Sequence, residues 1–301
     1  MKIWKLLCHP ERAVFVYGIR GGFRFLSDPA YLKLLYRCSH GRSLNLDAPK
    51  TYNEKLQWLK LHDRKPEYTA MVDKDAVKRY VADRIGEEYV IPTLGLWDRF
   101  EEIDFDSLPD RFVLKCTHDS GGLVIVKDKA KLDKSAAKKK IERSLRRNYY
   151  WAGREWPYRA VSPRILAEAY LEDEGRQDLS DYKVMCFGGQ PKLIQLHQGR
   201  FGAHTQDFYN ENWEKQDIFR GVPASAEVLE KPVFLEEMLE LSRKLSAGLP
   251  QLRVDWYFTN GRLYFGELTF FSASGMTPFV PEQWDETLGG WIELPCIEEE
   301  T

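Results

Sequence analysis

Apolar positions follow two rhythms along this chain. A spacing of three or four residues marks one face of a helix. It appears at Tyr31, Leu32, Leu34, Leu35 and Tyr36, at Leu56, Trp58, Leu59 and Leu61, and at Val77, Tyr80, Val81 and Ile85. The second run follows Thr51-Tyr52-Asn53-Glu54, a capping box in which a hydroxyl caps the helix and the Glu three residues on reaches back. The third opens near Asp73 and stops at Gly86. A basic helix over 129–147 and an amphipathic one over 232–249 are also predicted. Short continuous or alternating apolar runs predict strands at 89–92, 112–116, 123–126, 165–171, 182–187, 191–196, 252–259 and 262–270. Ser120-Gly121-Gly122, Gly188-Gly189 and Asn260-Gly261 join successive strands into hairpins. Helices interleaved with antiparallel hairpins predict an α+β fold.

Composition narrows the class. With 301 residues, 43% hydrophobic and 30% charged, the chain is long enough for about two domains and too apolar to be disordered. Its formal charge is −2, from 44 Lys+Arg against 46 Asp+Glu, which argues against a non-specific nucleic-acid binder. No apolar run approaches the roughly 20 residues of a membrane helix, and Lys2 and Lys5 bring charge too early for a secretory signal. Five cysteines without a CxxC pair argue against a disulfide framework or a zinc ribbon. These features predict a cytoplasmic protein with no transmembrane segment. Seven lysines between Lys127 and Lys140 read as a solvated helix face.

The last hairpin carries the sharpest chemistry. Alternation along Leu252 to Phe258 puts Leu252, Val254, Trp256 and Phe258 on one face, with Arg253 and Asp255 on the other. A two-residue turn at Asn260-Gly261 pairs Asp255 with Gly266 and sends Glu267 to the opposite face. A three-residue loop, Thr259-Asn260-Gly261, pairs Arg253 with Glu267 and leaves Asp255 and Glu267 diagonal neighbours about 7–8 Å apart. Two carboxylates that close repel unless a cation lies between them, and a divalent ion with oxygen ligands suits the place. The three-residue loop is therefore expected. Leu263 and Phe265 are expected on the polar face, making it half acidic and half apolar, as a nucleotide with its metal requires.

Asp255, Glu267-x-Thr269 and Ser274-Gly275-Met276-Thr277 resemble the C-terminal signature of the ATP-grasp superfamily. Asp73-Lys74, Val113-Leu114-Lys115 with Ser120-Gly121-Gly122, Leu166 to Leu171 and Asp181-Tyr182-Lys183-Val184 resemble its upstream elements, in order, over about 73–280. Tyr52-Asn53-Glu54-Lys55-Leu56-Gln57-Trp58 and Lys115 to Gly122 resemble its TupA-like branch, associated with teichuronopeptide and capsular glycan synthesis. Two positions depart from the pattern: Thr269 stands for the usual metal-binding Asn, and Ser274 for the usual Pro.

The resemblance implies an ATP-grasp fold, two α+β subdomains clamping a nucleotide, with an N-terminal helical extension. Expected boundaries are 1–72 for the extension, 73–110 for a linking unit, 111–171 for the lid subdomain and 172–301 for the C-terminal subdomain with the metal site. Lys74 and Lys115 would meet phosphates, Ser120, Gly121 and Gly122 would cover them, and Glu168, Ala169, Tyr170 and Leu171 would hold adenine and ribose. That last role requires strand 165–171 to have an unpaired edge. Asp181 is a second ribose candidate. Asp255, Glu267 and Thr269 would hold Mg²⁺. Arg253 would neutralise the transferred phosphoryl group or bridge to Glu267, and Lys183 would face a phosphate or the acceptor carboxylate. Arg200, in a glycine-bearing loop, is the candidate anchor for an acidic sugar. A lysine such as Lys115 in an apolar strand is costly unless its amine reaches a partner. His118 reads as a loop residue, His62 and His197 as packing or capping residues.

The implied reaction uses ATP to convert a uronic-acid carboxylate of a surface glycan into an acylphosphate, which an amine such as an amino acid then displaces. Alternatives are a phosphotransferase and a nucleotide-binding module without turnover. Implied partners are the acidic glycan, the amine and, peripherally, glycan-assembly machinery.

Overall fold

The computed structural model describes residues 10–172, 179–199 and 202–296. Its first part is helical: α1 (Pro10–Ile19), α2 (Asp28–His40), α3 (Tyr52–His62), α4 (Glu67–Val72) and α5 (Ala76–Ile85). The capping box forms as expected. Thr51 Oγ1 accepts from the Glu54 amide at 3.3 Å, and Glu54 Oε2 accepts from the Thr51 amide at 3.2 Å. Tyr31, Leu32, Leu35 and Tyr36 of α2 form a small separate core that takes in Met276 from near the C-terminus.

A four-stranded antiparallel sheet follows, built from β1 (Thr93–Trp97), β2 (Phe112–Cys116), β3 (Leu123–Val126) and β4 (Ile165–Ala169) in the order β1-β4-β2-β3. Helix α6 (Lys134–Leu145) covers it, with Ala137 and Ile141 packed among Phe112, Leu114 and Ile165. The short helix α7 (Tyr150–Gly153) comes next. The second sheet has six antiparallel strands: β5 (Asp181–Phe187), β6 (Gln190–Gln198), β7 (Thr205–Asn210), β8 (Lys215–Gln216), β9 (Gln251–Thr259) and β10 (Arg262–Thr269), in the order β10-β9-β5-β6-β7-β8. Helix α8 (Leu235–Ser246) packs on it, and Trp256 of β9 donates to Ser242 at 2.8 Å. Helix α9 (Gln283–Gly290) returns to α3, where the Asn53 amide and side chain both donate to Asp285 at 2.9 Å. The α+β expectation holds.

Three expectations change. Residues 87–89 form a 3₁₀ turn and the strand begins only at Thr93, because Pro92 gives up no amide hydrogen to a ladder. Strand β4 is central rather than at an edge, paired with both β1 and β2, so the free backbone of this segment is confined to Tyr170 and Leu171 beyond its end. Strand β7 went unpredicted because it is polar by composition. Gln206 and Asp207 are nonetheless buried, held there by tertiary contacts. Among the described residues, no helix is long and apolar enough to cross a membrane.

Candidate functional site

The β9–β10 hairpin closes through two residues, not three. Arg262 pairs with Thr259 across Asn260 and Gly261, both left-handed at φ 52° and 73°, the geometry of a tight hairpin turn. The expected consequence, Glu267 on the wrong face, is averted by a β-bulge. Phe265 pairs with Trp256, Gly266 is the extra residue, and Glu267 pairs directly with Asp255. A Cβ at position 266 would stand 3.1 Å from the Asp255 carbonyl oxygen, so the bulge suits a glycine. Leu263 and Phe265 lie opposite Phe258 and Trp256 and are buried in the core, contrary to the half-apolar polar face expected.

The polar face is a charged row. Glu267, Asp255, Lys183 and Gln195 stand opposite one another across β10, β9, β5 and β6. Arg253 Nε donates to Asp255 Oδ1 at 2.6 Å, and its Nη2 donates to Asp255 Oδ2 at 2.8 Å and to Glu267 Oε1 at 3.0 Å. Lys183 Nζ bridges Asp255 and Asp181, the latter at 2.9 Å. Burial pushes the Asp255 carboxyl upward, but the Arg253 and Lys183 charges overcome it and hold it at about 2. Arg253 is raised: burial opposes its charge and the two carboxylates more than compensate.

The facing sheet supplies cations. Lys115 on β2 and Lys78 on α5 both pair with Glu168 on β4, Lys78 at 2.8 Å. Burial would raise Glu168, yet the two ammonium groups hold it below the ordinary range. Two lysines on one carboxylate leave a net positive charge, which favours an anion beside them. Lys74 Nζ donates to the Asp119 carbonyl, and Asp119 Oδ1 accepts from the Gly122 amide at 3.0 Å, shaping the Ser120-Gly121-Gly122 turn. His118 is buried away from this wall, with Nε2 against the Ser144 and Arg147 carbonyls at the end of α6. His62 packs at a tilt against Trp58, ring centroids 4.6 Å apart, and His197 contacts Gln195 and His204.

Two cavities separate the sheets. A slot of about 190 Å³ is lined by Lys115, Glu168, Ala169, Tyr170, Leu171 and Asp181, with Val113, Ile125 and Leu179 as apolar walls. A cleft of about 440 Å³ is lined by Lys74, Asp119, Ser120, Tyr149, Glu155, Tyr158, Arg253, Glu267, Thr269 and Ser274. Between them a constriction of about 10 Å³ shares Lys115 and Glu168 with the slot and Lys74 with the cleft. The predicted residues thus gather along one path, apolar at one end and charged at the other. Lys183 and Asp255 are buried and line neither cavity. Arg200 lies outside the described residues. A larger trough of about 870 Å³ runs between β3 and α6, outside the path; of the predicted site residues it holds none.

Among the charged and hydroxyl-bearing residues of the path that went unforeseen are Lys78, Tyr149, Glu155 and Tyr158. Lys78 stands one helical turn after Lys74, a spacing that could have revealed it. Glu155 and Tyr149 carry no local signal. Burial raises Glu155 against the charge of Lys60, and the Glu155 charge in turn raises Tyr149. Lys60 is fully buried on α3, bonded to Gln57 Oε1, the Gly153 carbonyl and both oxygens of Ser274 at 2.8–2.9 Å. Burial lowers its pKa to about 8 despite Glu155.

The donor types suit magnesium, a hard cation that takes one or two carboxylates and leaves its other positions to phosphate and water, with Glu267 and Thr269 open to the cleft and Asp255 buried behind them. Asp255 is ionised at neutral pH, and three hydrogen bonds leave one lone-pair position on its Oδ1. Glu267 is half exposed to the cleft, and Thr269 Oγ1 stands 3.5 Å from it. The Arg253 guanidinium occupies the place between the carboxylates. Among the described residues no cluster of three or more His, Cys, Asp or Glu side chains forms a ready metal cage.

The chain is similar in structure to D-alanine–D-alanine ligase from Bacillus anthracis complexed with ATP, at 18% identity and a TM-score of 0.39, covering 67% of this chain and 54% of that one. Against the Helicobacter pylori D-alanine–D-alanine ligase the figures are 14%, 0.44, 75% and 61%. Against a RimK domain ATP-grasp protein from Sphaerobacter thermophilus they are 14%, 0.42, 77% and 70%. The chain thus spans little more than half the length of the first of these. No curated protein matches the sequence. The model of the TupA-like ATP-grasp family matches residues 54–293, which takes in both sheets and every cavity-lining residue named above, and the chain belongs to that family.

Proposed function

We propose that this chain is an ATP-dependent carboxylate–amine ligase, acting on a uronic-acid carboxylate of a bacterial surface glycan or its precursor. The observation that carries the reading is the continuous path from an apolar slot, past paired lysines, to Arg253 and Glu267. The base and ribose would occupy the slot against Tyr170, Leu171 and Asp181. Lys115, Lys78 and Lys74 would lie along the phosphates, where their excess charge offsets the polyanion. Asp255 and Glu267, with Thr269 beside them, would hold Mg²⁺, which would supply positive charge against the phosphates.

The acceptor carboxylate attacks the terminal phosphorus, the bond to the bridging oxygen breaks, and ADP leaves. Arg253, at the charged end of the cleft, stabilises the phosphoryl oxygens as charge moves between them. The amine then attacks the carbonyl carbon of the acylphosphate. The carbon–oxygen bond breaks and phosphate leaves. Glu155, a cleft carboxylate raised by burial, is placed to take the proton the amine must lose. The β2–β3 hairpin would exclude water, which otherwise hydrolyses the acylphosphate.

The test is mass spectrometry of a uronic-acid glycan incubated with the protein, ATP, Mg²⁺ and mixed amino acids. An amide mass increment with matching ADP release is expected. A phosphoryl increment without amine dependence would show a phosphotransferase, and nucleotide binding without ADP release would show a non-catalytic module.

A further inference from the structure

The start of the described chain presents an apolar surface beside the site, of which Ile19 alone also lines the cleft. Tyr17 is 59% exposed, Phe25 84% and Ile19 38%, all within nine residues of α1 and the turn after it. The aromatic rings are contiguous: Tyr17 meets Phe23 edge-on at 4.8 Å, and Phe23 meets Phe25 at 6.3 Å. Single exposed apolar side chains are ordinary, but a connected cluster is not. Arg12, Arg20 and Arg24 are exposed around it, and Arg24 is braced by the Gly21 carbonyl at 3.0 Å and the Trp151 ring at 5.3 Å. Between residues 10 and 25 the acidic side chain is Glu11 alone. Asp28, the next acid, is already engaged by Arg64 and Tyr150. The composition continues upstream, where Lys2 and Lys5 alternate with Ile3, Trp4, Leu6 and Leu7.

We propose that this aromatic and arginine-bearing surface seats on an anionic lipid bilayer. Aromatic rings at the boundary between hydrocarbon and headgroups, with arginines reaching anionic phosphates, are the chemistry of an interfacial helix. The ten residues of α1 are too few to span a bilayer. A second copy of the chain is the poorer occupant, since it would bring the same arginines face to face. The seat also has a consequence for access: Phe15 and Ile19 of α1 line the 440 Å³ cleft. A protein held by this surface therefore has its cleft beside the membrane, where a lipid-attached acceptor would arrive. The seat itself does not depend on the ATP chemistry.

The test is co-sedimentation of the full chain with vesicles of phosphatidylcholine alone and of phosphatidylcholine with phosphatidylglycerol. The protein should pellet with the anionic vesicles and more weakly with the neutral ones, and added salt should release it. Each of Arg12→Gln and Arg20→Gln should lower the partition coefficient about fivefold. Tyr17→Ser with Phe25→Ser should lower it about tenfold or more, with an unchanged circular dichroism spectrum and unchanged binding of a fluorescent ATP analogue. Failure of the wild type to pellet with either vesicle overturns the proposal, as does wild-type partitioning of the double serine variant. So does a dimer in sedimentation velocity that the serine substitutions dissolve, which would assign the surface to self-association. ATP binding is read separately, so loss of the membrane seat and loss of the ligase reading give different results.

Discussion

Asp255→Asn removes a charge while keeping a shape, and the structure sets the size of the effect. The Asp255 carboxyl is held at about 2 against an ordinary 3.8, chiefly by the Arg253 fork and Lys183 working against its burial. A gap of about two units corresponds to roughly 2–3 kcal/mol of native-state preference for the ionised form. The variant leaves Arg253 with Glu267 and Lys183 with Asp181, so neither cation is stranded. A loss of about 2–3 kcal/mol is therefore expected at neutral pH, a fall of roughly 3–5 °C in Tm for a chain of this length. The pH dependence is the sharper test. Below about pH 4 the unfolded chain binds a proton at this residue, while the folded chain does not until about pH 2. The contribution is thus fully present above pH 4 and disappears as pH falls through that window. Urea unfolding of wild type and variant from pH 7 to pH 3 should show the stability gap constant above pH 5 and narrowing below pH 4. A gap that ignores pH, or a variant more stable than wild type, would show that the ion-pair row does not hold Asp255 ionised. ADP formation by the variant should fall by orders of magnitude at every pH.

Further outcomes follow from the bulge and from the buried lysine. Gly266→Val puts a branched side chain against the Asp255 carbonyl and should cut ADP formation severely. Deleting Gly266 removes the extra residue yet leaves Glu267 opposite Asp255, so the deletion should be the more active of the two; the reverse order would mean that the bend, not the register, matters. Lys60→Met removes both the donor to Gln57, Gly153 and Ser274 and the charge that acts on buried Glu155, and should cost about 3–5 kcal/mol in denaturant unfolding, while Lys60→Met with Glu155→Gln should recover part of it; additive losses would show that the two charges do not interact. Because folded Lys60 sheds its proton near pH 8 and the unfolded lysine near 10.5, wild-type stability from this group should rise between those values, a rise absent from Lys60→Met.

Much of this protein could be read along its length. The capping box at Thr51–Glu54, most of the strands and the basic helix follow from local spacing, because backbone capping and side-chain alternation act over a few residues. The gathering of Lys74, Lys115, Ser120, Glu168 and Asp181 was implied by the resemblance to the ATP-grasp superfamily rather than by spacing. What needed tertiary structure was of longer range. The Asn260-Gly261 turn was legible, but the compensating bulge at Gly266 depends on how β9 and β10 meet the core. The central place of β4 follows from a strand, β1, that sequence placed a few residues early. Lys60, Glu155 and Tyr149 stand far apart in sequence, and only packing α3 against the Gly153 and Ser274 segments makes them neighbours. A sequence can set the side chains on one face of a strand, because that choice is local. Which distant charge is brought to that face, and whether it becomes a counter-ion or a cleft wall, is decided when separate elements share one desolvated volume.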